Sequence, residues 1–471
     1  MDEDALQTDY LVVGTGAVAM AFVDTLLDET DADIVMVDRH HRPGGHWNDA
    51  YPFVRLHHPA VYYGVASRHL GSARKDSLGR NAGLDELTSG TEVLAYFDQV
   101  MQQRFLPSGR VRWMPMCDYS GGADGSHRIR SLTTGRERTV EVRRKIVDGT
   151  HTRTQVPATH PPRYEVADGM TCIPPNRLPE IARPWRAYTV VGAGKTGMDA
   201  CLWLLDNGVP ASAIRWIMPR DAWLLDRANF QPDDIERTIG SNITQLDAVV
   251  QATSVPDLFR RLEASGMVMR IDPAVEPTTY RCANVSRGEL AELRTLRDIV
   301  RLGHVRAIDS DRITLDRGSL DADPDTLYVD CTADALRSSQ PGPVYDGKRI
   351  NLLMLRACQP VFSAALTARI ECRLDDEAEK NRICVPVPPP REPLDWLRML
   401  SITLANGSLC RRHPDIGEWI DACRLNYVTV WLNGSAADPS TKTALLKRAG
   451  ATAKAAAAKL PLLLAEAASP S

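Results

Sequence analysis

The run DYLVVGTGAVAMAFVDTLLDETDADIVMVD, Asp9 to Asp38, decides how this chain folds. Asp9 to Val13 is a short apolar run rich in β-branched residues, the pattern of a strand buried on both faces of a parallel sheet. It passes directly into Gly14-Thr15-Gly16-Ala17-Val18-Ala19, then into a helical stretch, then into a second apolar run, Asp33 to Val37, that ends at Asp38. Strand, glycine turn, helix, strand and acid in that order form a dinucleotide-binding βαβ fingerprint, with Ala19 in its third position. Gly14 permits the tight turn and Gly16 lets the backbone approach a pyrophosphate. Ala17 opens the helix whose N-terminus faces that group. Asp38 stands where a carboxylate accepts hydrogen bonds from an adenosine ribose.

A second copy of the pattern begins at Ala187. The run Ala187 to Val191 leads into Gly192-Ala193-Gly194-Lys195-Thr196-Gly197 and a helical stretch, and the following strand, Ile214 to Met218, ends in Pro219-Arg220. All three fingerprint glycines are present, so a second pyrophosphate is expected at Gly192, Gly194, Thr196 and Gly197. The Lys195-Thr196 pair lacks the spacing of a P-loop. The residue after the second strand discriminates between nicotinamides, because arginine accommodates a 2′-phosphate that a carboxylate repels. Arg220 can fork two hydrogen bonds to phosphate, and Lys195 adds charge nearby, so NADPH is expected over NADH. Asp221 beside it competes for the ribose, and the plain alternative for Arg220 is a solvated loop charge.

The 471 residues suffice for two or three domains, and 44% hydrophobic with 25% charged residues is the composition of a globular protein. A net charge of −4 gives no electrostatic reason to expect nucleic acid or an anionic membrane. There is no apolar run of spanning length, and the acidic start MDEDALQ is not a secretory signal; a cytoplasmic location is expected. The ten cysteines form no close pair in sequence and read as buried small hydrophobes in a reducing compartment. That spacing also argues against a disulfide reductase, which needs a dithiol beside its cofactor.

From Arg39-His40-His41-Arg42-Pro43-Gly44-Gly45-His46-Trp47 onward the chain resembles the flavin-containing monooxygenases and their Baeyer–Villiger relatives. That superfamily carries Gly-Gly-x-Trp just after the ribose acid, and Asn48-Asp49-Ala50-Tyr51-Pro52 matches the continuation seen in Baeyer–Villiger enzymes. The resemblance implies FAD at the first fingerprint, with Arg39, Gly45, His46 and Trp47 among its contacts; the plain alternative for Trp47 is a core aromatic. It further implies that Leu56 to Gly64 passes beneath the flavin ring. His57 and His58 are adjacent, so in an extended chain they face opposite ways, and His57 is favoured as the catalytic one. The strand Val111 to Met116 would offer backbone contacts to the adenine, including Met116. The helix opening at Gln359-Pro360-Val361-Phe362-Ser363 would point its N-terminus at the flavin, with Gln359 and Ser363 as contacts, or be an ordinary core helix.

The expected architecture is α/β, with two Rossmann-type domains and a helical C-terminal extension. Residues 1–151 and 334–375 form a discontinuous FAD domain, 152–333 an inserted NAD(P)H domain, and 376–471 the helical part. Strands ending at Asp148-Gly149-Thr150 and within Leu327 to Ala333 mark the crossings, and a proline-rich connector spans 155–184. The alanine-rich tail from Lys442 either packs back on the domain or mediates self-association. The resemblance implies an NADPH-consuming monooxygenase that forms a flavin C4a-hydroperoxide with O2 and oxygenates a small molecule. The linker signature F-x-G-x-x-x-H of those enzymes is absent; Val147 to His151 and Thr159 to Pro162 stand there instead. An NADPH:acceptor reductase for a quinone or protein partner, a flavin-dependent halogenase and a nucleotide sensor without turnover are the alternatives.

Overall fold

The strand Leu6–Val13 lies at the centre of a sheet because both its faces are apolar; Leu11 and Val12 have no exposed surface. In the computed structural model, which describes residues 5–121, 125–151, 154–333 and 342–468, it pairs in parallel with Ile34–Val37 on one side and Glu137–Asp148 on the other. The sheet continues in parallel to Val111–Met114 at one edge and to Arg349–Asn351 on the other side, where the antiparallel Tyr345–Asp346 follows. The expected strand Val111 to Met116 thus stops two residues early, since Met116 takes a left-handed φ of +52°, and the expected strand Ile350 to Arg356 shrinks to its first residues. The helix Ala17–Glu29 packs on the return helix Pro360–Arg373 through Ala19, Phe22, Val23, Phe362 and Ala365.

A second parallel sheet has the order Asp298–Val300, Ile214–Ile217, Ala187–Val191, Thr326–Asp330, Thr171–Ile173. Its edge strand corrects one expectation. The stretch 155–184 is not only a connector, because Thr171–Ile173 completes this sheet and Glu165–Val166 pairs with Val305–Ile308. The strand-ending turns repeat their geometry in both sheets. Asp148 Oδ1 accepts from the N–H and Oγ1–H of Thr150, and Asp330 Oδ1 accepts from those of Thr332. The expected crossings at 152 and 334 fall on residues outside those described.

Residues 221–330, which carry no clear pattern in sequence, supply a further three-stranded sheet in which Ala222–Asp226 lies between Val268–Met269 and Thr279–Val285. The tail is one helix, Pro439–Ala468, that buries Ala456, Leu460 and Leu463 among Leu246, Val249 and Leu397; it packs back on the molecule. Among the described residues no helix is long and apolar enough to cross a membrane. Eight cysteines are free, but Cys282 and Cys358 are joined to each other. This overturns the reading of all ten as isolated apolar fillers: sequence spacing says nothing about residues that tertiary folding brings together.

Candidate functional site

The first glycine turn is held by its own neighbours. A Cβ on Gly45 would stand 2.8 Å from the Cα of Gly16, and Gly45 has a φ of +56°, so the two backbones approach this closely only because residue 45 is glycine. The Gly-Gly-His-Trp segment is thereby clamped over the N-terminus of Ala17–Glu29. Asp38 is consumed within the protein: Oδ2 accepts from the N–H and Oγ1–H of Thr15 at 2.6 and 2.7 Å, and Oδ1 accepts from the N–H of His40 at 2.8 Å and meets its ring. Burial pushes this carboxyl up, but the bonds from His40 and Thr15 outweigh it and hold it below its ordinary value. Arg39 is exposed and 3.9 Å from Asp118. Met116 spends both backbone groups within the protein, donating to the His40 carbonyl and accepting from Leu132.

Trp47 is a core aromatic. It is buried, and its indole N–H donates to the Tyr63 hydroxyl at 2.9 Å. His46 beside it is exposed, yet surrounding protein atoms push its imidazole down to about 4.

His57 and His58 correct a second expectation. The chain bends here instead of running extended, so the two rings lie on one side, with centroids 4.7 Å apart. Burial lowers both imidazoles, His57 well below the usual histidine value with help from His58, Lys195 and Arg227, and His58 to about 4. Both are therefore neutral at neutral pH. Nδ1 of His57 accepts the N–H of Asn284 at 3.3 Å, which leaves the ring proton on Nε2.

The second glycine turn is equally tight: a Cβ on Gly197 would run into the Gly192 carbonyl, whereas one on Gly194 would meet nothing within 4 Å. That open side of Gly194 is where a ligand phosphate can approach the helix Lys195–Asp206. Lys195 does not face it alone, because its ammonium pairs with Asp199 and lies 3.6 Å from Glu289. Arg220 is exposed and, among the described residues, unpaired, whereas Asp221 is buried and clamped by Arg301 at 2.8 and 3.1 Å. The competition foreseen between Asp221 and Arg220 for a ribose is thus removed by Arg301.

Two connections tie the glycine turns together. The Tyr51 hydroxyl donates to Asp199 at 2.7 Å. Arg227, fully buried, donates to the carbonyls of His57 and Asn284 and to Asn81, and pairs with Glu289 at 2.6 Å. Sequence reading missed Arg227, Asn284 and Glu289, since an arginine in DAWLLDRANF carries no motif. At the return helix, Ser363 is committed to its own loop: Oγ accepts from Leu355 and Arg356 and donates to the Gln359 carbonyl. Gln359 stands at the N-cap of that helix, and among the described residues its Oε1 is buried without a partner; the Asn284 amide is likewise buried and unpartnered at both atoms. Orphaned buried polar groups are what a polar ligand would satisfy.

No known family model matches the chain. It is 50% identical over 423 residues to the uncharacterized protein Rv2000 of Mycobacterium tuberculosis and to the uncharacterized protein Mb2023 of Mycobacterium bovis, over 89% of this chain and 78% of each relative. Among solved structures it is similar to the polycyclic ketone monooxygenase from the thermophilic fungus Thermothelomyces thermophila, with a TM-score of 0.55 at 11% identity over 98% of this chain and 88% of that one. The open crystal structure of cyclohexanone monooxygenase gives a TM-score of 0.50 at 13% identity over 78% and 87%. At these identities the likeness is one of fold.

Proposed function

We propose, for a chain that belongs to one family with the mycobacterial proteins Rv2000 and Mb2023 and has the fold of flavin monooxygenases, that it is an FAD-dependent, NADPH-consuming oxidoreductase that oxygenates a small molecule. Residues 1–151 with 334–375 would hold FAD, and 152–333 would hold NADPH. One observation carries the reading: two parallel sheets each open on a strand, a tight glycine turn and a helix, and the buried Arg227 ties His57, after the first turn, to Glu289, which lies beside Lys195 at the second. When bound, the flavin supplies the two-electron chemistry and the reaction with O2.

The protein's own part follows from its contacts. Gly16 and Gly45 hold the Gly-Gly-His-Trp segment against the first helix. His57, kept neutral by burial and fixed by Asn284 and Arg227, presents Nε2–H as a donor without adding a charge. Arg220 is free to take a 2′-phosphate because Arg301 has already claimed Asp221. Asp38 would reach a ribose only by giving up a bond to Thr15 or His40, or by sharing an oxygen with them.

The absorption spectrum of the purified protein tests this reading. A bound flavin that NADPH bleaches anaerobically, at concentrations well below those of NADH, supports both sites; a flavin that NADPH cannot bleach removes the enzyme reading. Incorporation of oxygen from 18O2 into a product then separates the oxygenase from an NADPH:acceptor reductase, which turns over a quinone and leaves O2 unused.

A further inference from the structure

The cysteine pair Cys282–Cys358 joins the bulged strand Thr279–Val285, in the inserted part of the chain, to the loop before the return helix Pro360–Arg373, across 76 residues of sequence. The two cysteines differ from the other eight in backbone as well as in bonding. Only four non-glycine residues among those described have positive φ, and Cys282 (+55°) and Cys358 (+56°) are two of them. A Cβ-bearing residue occupies that region against a steric cost, which the surroundings must impose. For Cys282 the cause is visible. The ladder passes from the pair Trp223↔Tyr280 to Leu225↔Asn284, so Arg281, Cys282 and Ala283 bulge opposite Leu224. A bulge re-aims a side chain out of the regular ladder, and here it turns the sulfur to Cys358. Each cysteine also stands beside an unsatisfied buried polar group: Asn284, with no exposed surface, two residues after Cys282, and Gln359 next to Cys358.

We propose that Cys282 and Cys358 are a redox-active pair, closed as a disulfide between the two nucleotide-binding parts of the chain and opened by exchange with a dithiol reductant. Cys358 is the more exposed residue of the two, so a thiolate of the reductant attacks its Sγ. The Cys282–Cys358 bond breaks, and its electron pair leaves on Cys282 Sγ, which takes a proton. The second thiolate of the reductant then attacks the sulfur of its own that is joined to Cys358, closing the reductant to a disulfide. Cys358 leaves as a thiolate at the N-terminus of a 14-residue helix, where the helix dipole favours negative charge before it too is protonated. Two electrons and two protons pass in total from the dithiol to the protein. Opening unties the bulged strand, and with it the Asn284 N–H on His57, from the return loop. Cys172, Cys201, Cys331 and Cys384 are not suited to this chemistry: burial pushes the thiol of Cys172 up to about 11 and holds those of the other three well above the ordinary thiol value.

Peptide mass mapping of the full chain, alkylated before and after dithiothreitol treatment without denaturant, tests the proposal. The expected result is a linked Cys282–Cys358 peptide in protein equilibrated with oxidised glutathione, lost in dithiothreitol with a gain of two alkylated cysteines. Amide hydrogen exchange over 279–285 and 355–359 should become faster on reduction. The double variant Cys282→Ser/Cys358→Ser should show the faster exchange with or without reductant; Cys358→Ser alone serves if the double variant does not fold. The proposal is overturned if no linked peptide forms, if the link opens only in denaturant, or if exchange ignores reduction. None of these readouts needs a bound nucleotide, so their outcome is independent of the oxidoreductase reading.

Discussion

The backbone N–H of Asn284 donates to Nδ1 of His57 across 3.3 Å and a sequence separation of 227 residues. This bond selects the tautomer of an imidazole that burial keeps uncharged, and so fixes which nitrogen carries a proton. Replacing His57 by leucine removes a neutral donor, an interaction of about 1 kcal/mol. The expected result is a kcat lower by roughly five- to tenfold with the flavin content per chain unchanged. The rate of the native protein should show no inflection from His57 near the ordinary histidine value of about 6.5. A flavin-free His57→Leu protein would mean that the residue is structural.

Arg227 is the most heavily committed cation in the site, fully buried and paired with Glu289 at 2.6 Å. Truncating one partner of a buried pair strands the other, at a cost of about 3–5 kcal/mol. Arg227→Met should lower the urea midpoint by that amount of stability, and Arg227→Met/Glu289→Leu should recover part of it. Lys195, 3.6 Å from Glu289, limits the loss in the single variant. Equal destabilisation in both variants would show that the pair is not coupled.

Arg220 and Asp221 are adjacent but not equivalent. Arg220→Ala should raise the KM for NADPH by about 10- to 100-fold, the worth of a charged phosphate contact of roughly 1.5–3 kcal/mol, and leave that for NADH within about twofold. Asp221→Asn should not improve the use of NADH, because this carboxylate is held by Arg301 rather than presented to a ligand. Steady-state kinetics with both nucleotides decide the point.

His40 bridges Asp38 and Asp49 at 3.0 and 2.9 Å, and the bond to Asp38 raises its pKa. A raised histidine stabilises the fold fully below its unfolded value near 6.5 and loses that contribution as pH climbs through the folded value. Asp38, held low, acts in the opposite window: its contribution is present above the ordinary value of 3.8 and lost as pH falls through the folded one. As pH rises above about 6.5, the thermal midpoint of the native protein should therefore fall more steeply than that of His40→Gln. Parallel pH profiles for the two proteins would remove this role.

Gly45→Ala tests the contact that closes the first turn. The new Cβ would stand 2.8 Å from Gly16 Cα at a φ of +56°, a left-handed conformation that costs a residue with a Cβ about 1–2 kcal/mol before any clash. The expected outcome is loss of most bound flavin with the second nucleotide site intact, read by absorbance and by NADPH fluorescence titration.

Both glycine turns and the strands and helices around them are legible in the residues from Asp9 to Asp38 and from Ala187 to Arg220, because a strand, a tight turn and a helix N-terminus are set by neighbours along the chain. The two strand-ending turns at Asp148 and Asp330 are legible for the same reason: each carboxylate bonds a threonine two residues on. Periodicity failed where partners are remote. The strand Thr171–Ile173 hides among prolines because only its pairing with Thr326–Asp330 makes it a strand.

The sequence by itself determined a chain with two dinucleotide-type turns and a helical end, since short-range sterics and apolar patterning are written locally. Only the tertiary structure decided that Arg301 takes Asp221 out of contention, that Arg227 holds His57 to Glu289, that both histidines share one side, and that Cys282 meets Cys358. Each of these is a pairing of charge, hydrogen bond or sulfur between residues far apart in the chain. Such pairs have no period or spacing of their own, and they form because packing two sheets and their helices leaves those groups no other partner.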